Sequence, residues 1–364
     1  MTKHGSILLF TVGVLLFSGG CEGLRLHLVN ASVQKPSNVA LYFTMDTAEG
    51  EPVPGATADQ FQIYEDGKLI STYESKQTIL NPEVATVRYT LLLLDMSGSV
   101  VESGQVPLVQ EAVVAFLDGV GEQEKVAIYA FDGREEIQPI AKFSARAERL
   151  AGSTDSLSSW KTKDPSTNLN GAIVEAAAVI MEAMEESDEP LRFANLVVFT
   201  DGTDRAHRAT SAQALEAVDA SNIGIFVIGL GGEVGQEEMQ HLGRDGFVHV
   251  EDKDAVVDAF HGVAERIKGL AARFYLLSYC SPSRAGIHEL EVKAVLGEEH
   301  GSLAYEFDAE GFKPKCDPTT PPAFDVPGTK KHKKKGKKKK KATVSASAGT
   351  AKSDTGEPPP GEGY

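Results

Sequence analysis

The chain has 364 residues, 41% of them hydrophobic, a length that exceeds one typical domain and predicts two folded domains with tails. Its 36 basic and 52 acidic side chains give a net charge of −16, and without the ten lysines between Lys330 and Lys341 the balance is 26 against 52, or −26. So acidic a body argues against nucleic-acid binding through its folded part, and it weakly favours metal cations and basic partners.

The amino terminus reads as an export signal. Lys3 precedes an apolar core from Ile7 to Phe17, too short to span a bilayer as a helix, and Ser18-Gly19-Gly20 leads to Cys21. This segment resembles a bacterial lipobox, with Ser18 where that pattern usually has Leu. The resemblance implies lipidation at Cys21 and stable anchoring by several acyl chains. The alternatives are a conventionally cleaved or an uncleaved signal. With Cys21 so used, Cys280 and Cys316 remain, and an exported compartment permits a disulfide between them. The alternative is a pair of buried thiols.

Residues 22–83 are expected to be β-rich. Leu26, Leu28 and Val39 to Phe43 are apolar or β-branched, and Phe61-Gln62-Ile63-Tyr64 alternates before Glu65-Asp66-Gly67-Lys68. Asp-Gly in that setting predicts a hairpin.

Residues 84–270 alternate apolar strands with helical stripes. Buried strands are expected at Arg88–Leu94, Val126–Phe131, Leu196–Thr200, Ile223–Leu230 and Phe247–Val250. Helices are expected along Val106–Val120, Ile173–Met184, Ala212–Ala220 and Val256–Ile267. The pattern implies an α/β fold, a doubly wound and mostly parallel sheet with helices on both faces. Its key stretch is LLLLDMSGS, Leu91 to Ser99. Four leucines fit a strand buried on both faces, and Asp95 would stand at its carboxyl end, where ligands bind in open α/β sheets.

Two further stretches matter. Thr167 precedes a helical pattern, and Asp201 ends a second apolar strand, with Asp204 close behind. An Asp-x-Ser-x-Ser turn, a loop threonine and a strand-end aspartate, in that order, resemble the metal-ion-dependent adhesion site of the von Willebrand factor A domain. The resemblance implies that Ser97, Ser99 and Thr167 give hydroxyls to a cation, while Asp95 and Asp201 bind it directly or through water. Such all-oxygen donors suit Mg²⁺, Mn²⁺ or Ca²⁺. It also implies an antiparallel edge strand at Ile137–Phe143. The competing reading makes these ordinary turn and capping residues. Asp204 is read as a loop-surface carboxylate, the alternative being a support just behind the metal ligands, with Asn168 as a brace for the Thr167 loop and Gly98 as the residue allowing a tight turn.

Residues 271–316 return to period two at Arg273–Tyr279 and His288–Val295. Too few strands lie on either side of the α/β body for two sandwiches, so one shared sandwich with the body inserted is expected; two separate β pieces are the alternative. Residues 317–364 lose any core-forming pattern and read as a disordered, lysine-rich tail that contacts a polyanion or is simply solvated.

The implied function is a divalent-cation-dependent protein-binding module in the cell envelope. It is held at a membrane by lipid, and a partner Asp or Glu completes the metal shell. No catalytic residues are assigned. Ser97 occupies the place where an Asp-nucleophile phosphatase keeps its general acid, and no Gly-x-Ser-x-Gly elbow or paired-histidine motif is present. The alternatives are an envelope scaffold with a stabilising metal, or a Mg²⁺-dependent phosphatase-like enzyme.

Overall fold

A computed structural model describes residues 23–324, apart from 83–84, 146 and 233–234. The segment expected to be an export signal, Cys21 and the lysine-rich run from Lys330 to Lys341 lie outside those residues. The described chain begins with β1 (Leu24–Gln34) and β2 (Asn38–Thr47), followed by β3 (Phe61–Glu65), β4 (Lys68–Leu69), α1 (Thr72–Ser75) and β5 (Thr78–Leu80). The α/β body then runs β6 (Thr86–Asp95), α2 (Gly98–Glu102), α3 (Val106–Gly119), β7 (Glu124–Phe131), β8 (Gln138–Ser144), α4 (Ala147–Ser153), α5 (Leu169–Glu185) and β9 (Leu191–Thr200). It continues through α6 (Ser211–Ser221), β10 (Gly224–Leu230), α7 (Gln236–Leu242), β11 (Gly246–Val250) and α8 (Val256–Ala271). Three strands follow, β12 (Phe274–Cys280), β13 (Ile287–Leu296) and β14 (Glu299–Asp308).

The body is built on a six-stranded sheet in the order β11-β10-β9-β6-β7-β8, parallel except at the β7–β8 edge. β6 lies inside it, which explains a leucine run without alternation. Leu92 and Leu94 pack with Val109, Val113 and Phe116 of α3 and Phe260 of α8, whereas Leu91 and Leu93 pack with Ile173, Ala176 and Ile180 of α5. Both faces of the strand are apolar because both are covered.

Strands before and after the body pair with each other. One sheet has the order β1-β2-β12-β5 and the other β14-β13-β3-β4. Phe43, Phe61, Ile63, Tyr275, Leu277, Leu290 and Val292 share one core. The β3–β4 connection is the Asp66-Gly67 turn, with φ of 50° and 73°, the left-handed backbone that a two-residue hairpin of this hand requires. On the other face of the first sheet, Tyr42, Leu276 and Phe274 meet Leu191 and Phe193 of β9. Phe193 and Phe274 stand 4.6 Å apart between ring centroids. The sandwich therefore covers the amino-terminal ends of the parallel strands, and the carboxyl-end rim faces away from it.

Cys280 and Cys316 form a disulfide. It helps to hold a strap after β14, where Lys313 N–H donates to Pro36 O at 2.7 Å and Ser32 Oγ donates to Ala323 O at 2.9 Å. The bridge spans 36 positions of sequence. Loop-closure entropy then predicts that replacing both cysteines by serine costs about 3–4 kcal/mol, read as a lower denaturant midpoint. An unchanged midpoint would show that the sandwich does not depend on the bridge.

Candidate metal centre

The site begins where β6 ends. Asp95 is fully buried, and both of its oxygens are held. Oδ1 accepts the Ser97 N–H at 2.9 Å, and Oδ2 accepts the Thr200 hydroxyl at 2.7 Å from the end of neighbouring β9. Burial pushes the Asp95 carboxyl up to about 6. Hydrogen bonds from Thr200 and Ser97 oppose that rise, and the Asp201 charge adds to it. Burial disfavours an ionised carboxylate, and a nearby like charge disfavours it further.

Ser97 caps α2 by position, but its side chain makes no capping bond. Its Oγ instead lies 3.2 Å from Ser99 Oγ, and Ser99 Oγ donates to Asp201 Oδ1 at 2.8 Å. Asp95, Ser97, Ser99 and Asp201 thus form one continuous cluster of hydrogen-bonded oxygen groups drawn from two strand ends. The Thr167 hydroxyl enters none of these bonds, but its loop is fixed between the two others. Gly98 N–H donates to Pro165 O at 3.0 Å, and Arg205 and Ala206 N–H donate to Thr167 O at 2.9 and 3.0 Å. Thr167 itself is buried.

Several supporting residues carry no strong sequence signal. Thr200 orients Asp95; its only cue is its place just before Asp201. Trp160 Nε1 and Thr162 Oγ1 both donate to Met96 O, at 3.1 and 3.0 Å, pinning a further loop on the turn. Gly98 serves by close approach and not by turn freedom. It lies in α2, and a Cβ there would stand 2.9 Å from Pro165 Cβ. The reading of Asp204 as a surface carboxylate is corrected: its side chain is 5% exposed. It accepts the Asn170 N–H at 2.8 Å and the His207 N–H at 2.7 Å, tying the start of α5 to the Asp201 loop. Asn168 does brace its loop, donating through Nδ2 to Arg134 O at 2.8 Å.

The donor chemistry fits a hard divalent cation. Among the described residues no group of three or more His, Cys, Asp or Glu side chains could hold a metal. The candidate set here is two carboxylates with serine and threonine hydroxyls, which suits Mg²⁺ or Mn²⁺ rather than zinc. A buried carboxylate beside a second one is costly unless positive charge compensates both.

The family model described as "von Willebrand factor type A domain" matches residues 90–246, less than half of the chain. No characterised protein matches the chain by sequence. Among solved structures, a von Willebrand factor type A protein from Catenulispora acidiphila is similar at 11% identity and a TM-score of 0.45, covering 78% of this chain and 73% of that one. Manganese-loaded TRAP protein from Plasmodium vivax gives 11% identity and a TM-score of 0.42 over 68% of this chain and 98% of that one. Proximal thread matrix protein 1 from the mussel byssus, with a zinc-occupied MIDAS motif, gives 15% and 0.40 over 57% and 49%. With the family match falling on a sheet whose one antiparallel strand is at the edge, the α/β body of this chain has a fold like that of the von Willebrand factor type A domain.

Proposed function

We propose that the chain is a divalent-cation-dependent protein-binding module, anchored in the cell envelope through lipid at Cys21. The observation that carries this is the continuous oxygen cluster from buried Asp95 through Ser97 and Ser99 to Asp201, with the Thr167 loop fixed beside it. Asp95, Ser97, Ser99, Thr167 and Asp201 would hold Mg²⁺, or Mn²⁺ or Ca²⁺ in its place. A bound cation supplies an open Lewis-acidic position that an Asp or Glu from a protein partner can fill. The chain's residues do the rest: Thr200 and the Ser97 N–H orient Asp95, and Asp204 holds the two flanking loops together. The test is capture of partners from an envelope extract, with and without Mg²⁺, by the native chain and by a variant in which Asp95 is changed. Capture that is equal under all four conditions would refute the proposal.

The raised Asp95 pKa fixes a pH dependence. The cation competes with a proton that the metal-free fold holds up to about pH 6. Cation affinity is therefore level above that value and falls by about tenfold per pH unit below it. For the metal-free protein the sign is opposite. Stability from the protonated carboxyl is full below its unfolded pKa and is lost as pH rises through about 6. Calorimetric titrations between pH 5 and 8 check this, and a flat profile would show that Asp95 stays ionised across that range.

A further inference from the structure

The turn that carries Asp95, Ser97 and Ser99 is fixed peptide by peptide. Met96 N–H donates to Phe131 O at 2.8 Å, Ser97 N–H to Asp95 Oδ1 at 2.9 Å and Gly98 N–H to Pro165 O at 3.0 Å. Met96 O accepts twice, from Trp160 Nε1 and from Thr162 Oγ1. Three of these contacts come from residues 160–165, the stretch that leads directly into Thr167. The same stretch therefore grips the turn and sets where the Thr167 loop stands relative to it.

That stretch is itself held from behind, at the end of β7. Buried Asp132 accepts the Lys163 N–H at 3.1 Å through its carboxylate, and its main-chain oxygen accepts the Asn168 N–H at 3.2 Å. Gly133 N–H donates to Asp164 O at 3.1 Å. Asp132 also pairs with Arg134 at 2.8 Å, and the Arg134 guanidinium lies 5.2 Å from the centre of the Trp160 ring. Trp160 is thus fixed at both its face and its N–H. Bonded on two sides, the turn and the Thr167 loop resist moving apart.

We propose that Trp160 and Thr162, acting through Met96 O, are positioning residues that make the oxygen cluster select Mg²⁺ over Ca²⁺. This rests on the cation-dependent reading above and adds what enforces the choice of ion. Bond lengths of 2.0–2.1 Å in an octahedral Mg²⁺ shell put neighbouring oxygens about 2.9 Å apart, whereas Ca²⁺ distances in the same arrangement put them about 3.3–3.7 Å apart. Ser97 Oγ and Ser99 Oγ stand 3.2 Å apart, and Ser99 Oγ and Asp201 Oδ1 stand 2.8 Å apart. Both spacings fall below the range that the larger ion requires. Ca²⁺ tolerates many geometries where its ligands can spread, so it is a fixed turn that disfavours it. Releasing Met96 O removes two of the bonds that prevent spreading.

The test is calorimetric titration of the whole chain with Mg²⁺ and, separately, with Ca²⁺, the ratio of the two affinities being the quantity read. The native chain is expected to favour Mg²⁺. Trp160→Phe keeps a ring under Arg134 and removes the indole N–H, and Thr162→Val keeps the shape and removes the hydroxyl. Together they should lower Mg²⁺ affinity by on the order of tenfold, the size of effect that follows loss of an outer hydrogen-bonding partner. Ca²⁺ affinity should fall less, so the ratio drops. A purely structural role would lower the melting temperature and weaken both ions alike. Thr162→Ser, which keeps a hydroxyl, should retain the native ratio. If the double variant does not fold, Thr162→Val against Thr162→Ser makes the same comparison. A native chain that favours Ca²⁺, a ratio unchanged in the double variant, or equal ratios for Thr162→Val and Thr162→Ser overturns the proposal and leaves the cation reading standing. A native chain that binds neither ion overturns both.

Discussion

Asp95→Asn is expected to remove divalent-cation binding while leaving the metal-free protein at least as stable as the native one at pH 7. The substitution keeps the volume and keeps an acceptor for the Ser97 N–H. It removes a fully buried negative charge whose burial already favours the protonated form. Leaving a carboxylate in that site costs stability unless a cation compensates it, so neutralising it relieves the metal-free fold. The effect on cation affinity should exceed the roughly 10–100-fold loss that follows removal of a mere outer hydrogen-bonding partner. Melting curves with and without Mg²⁺ separate the two effects. The native protein should melt higher with the ion, by mass action, and the variant should melt at one temperature in both. An ion-dependent rise that survives in the variant would place the ion elsewhere.

Deleting residues 24–80 is expected to unfold the carboxyl-terminal strands. β12 is paired on one side with β2 and on the other with β5, and β13 is paired with β3 and β14. The deletion strips β12 of both neighbours and β13 of one. It also removes Phe43, Phe61 and Ile63 from the core that Tyr275, Leu277, Leu290 and Val292 share. A lone β13–β14 hairpin is marginal in water. Residues 274–308 should therefore become protease-sensitive and exchange their amide protons rapidly, whereas the two helix-covered faces of the central sheet keep their own cores. Unchanged protection of 274–308 would mean that these strands hold together without the amino-terminal half.

What was legible in the sequence follows from how local each cause is. The four leucines of β6 announced a strand covered on both faces, because burial on both sides removes alternation. The stripes of α3, α5 and α8 showed because each is long enough for its period to repeat. The Asp66-Gly67 turn showed because its backbone favours those two residue types. By contrast α2 and α7 have five and seven residues, too short for a stripe to be told from chance. The placement of β12 between β2 and β5 is a pairing across the whole inserted body, which the composition of β12 does not encode.

The same division holds at the site. Carboxylates and hydroxyls at strand ends are visible as residue types, and four of the five side chains singled out share one set of hydrogen bonds. Their supports were invisible or misread. Met96 acts through its carbonyl, Gly98 through the approach of Pro165, and Asp204 through two main-chain N–H groups that become neighbours only once the loops fold. Such roles belong to the backbone path and leave little trace in side-chain chemistry.

The most direct test is to titrate Mn²⁺ into the native chain and into Ser99→Ala with Asp201→Ala, following bound ion by paramagnetic resonance. One ion per native chain, and none at the same concentrations in the double variant, is the predicted result. Equal binding by the two proteins, or no binding by the native chain, would contradict the account.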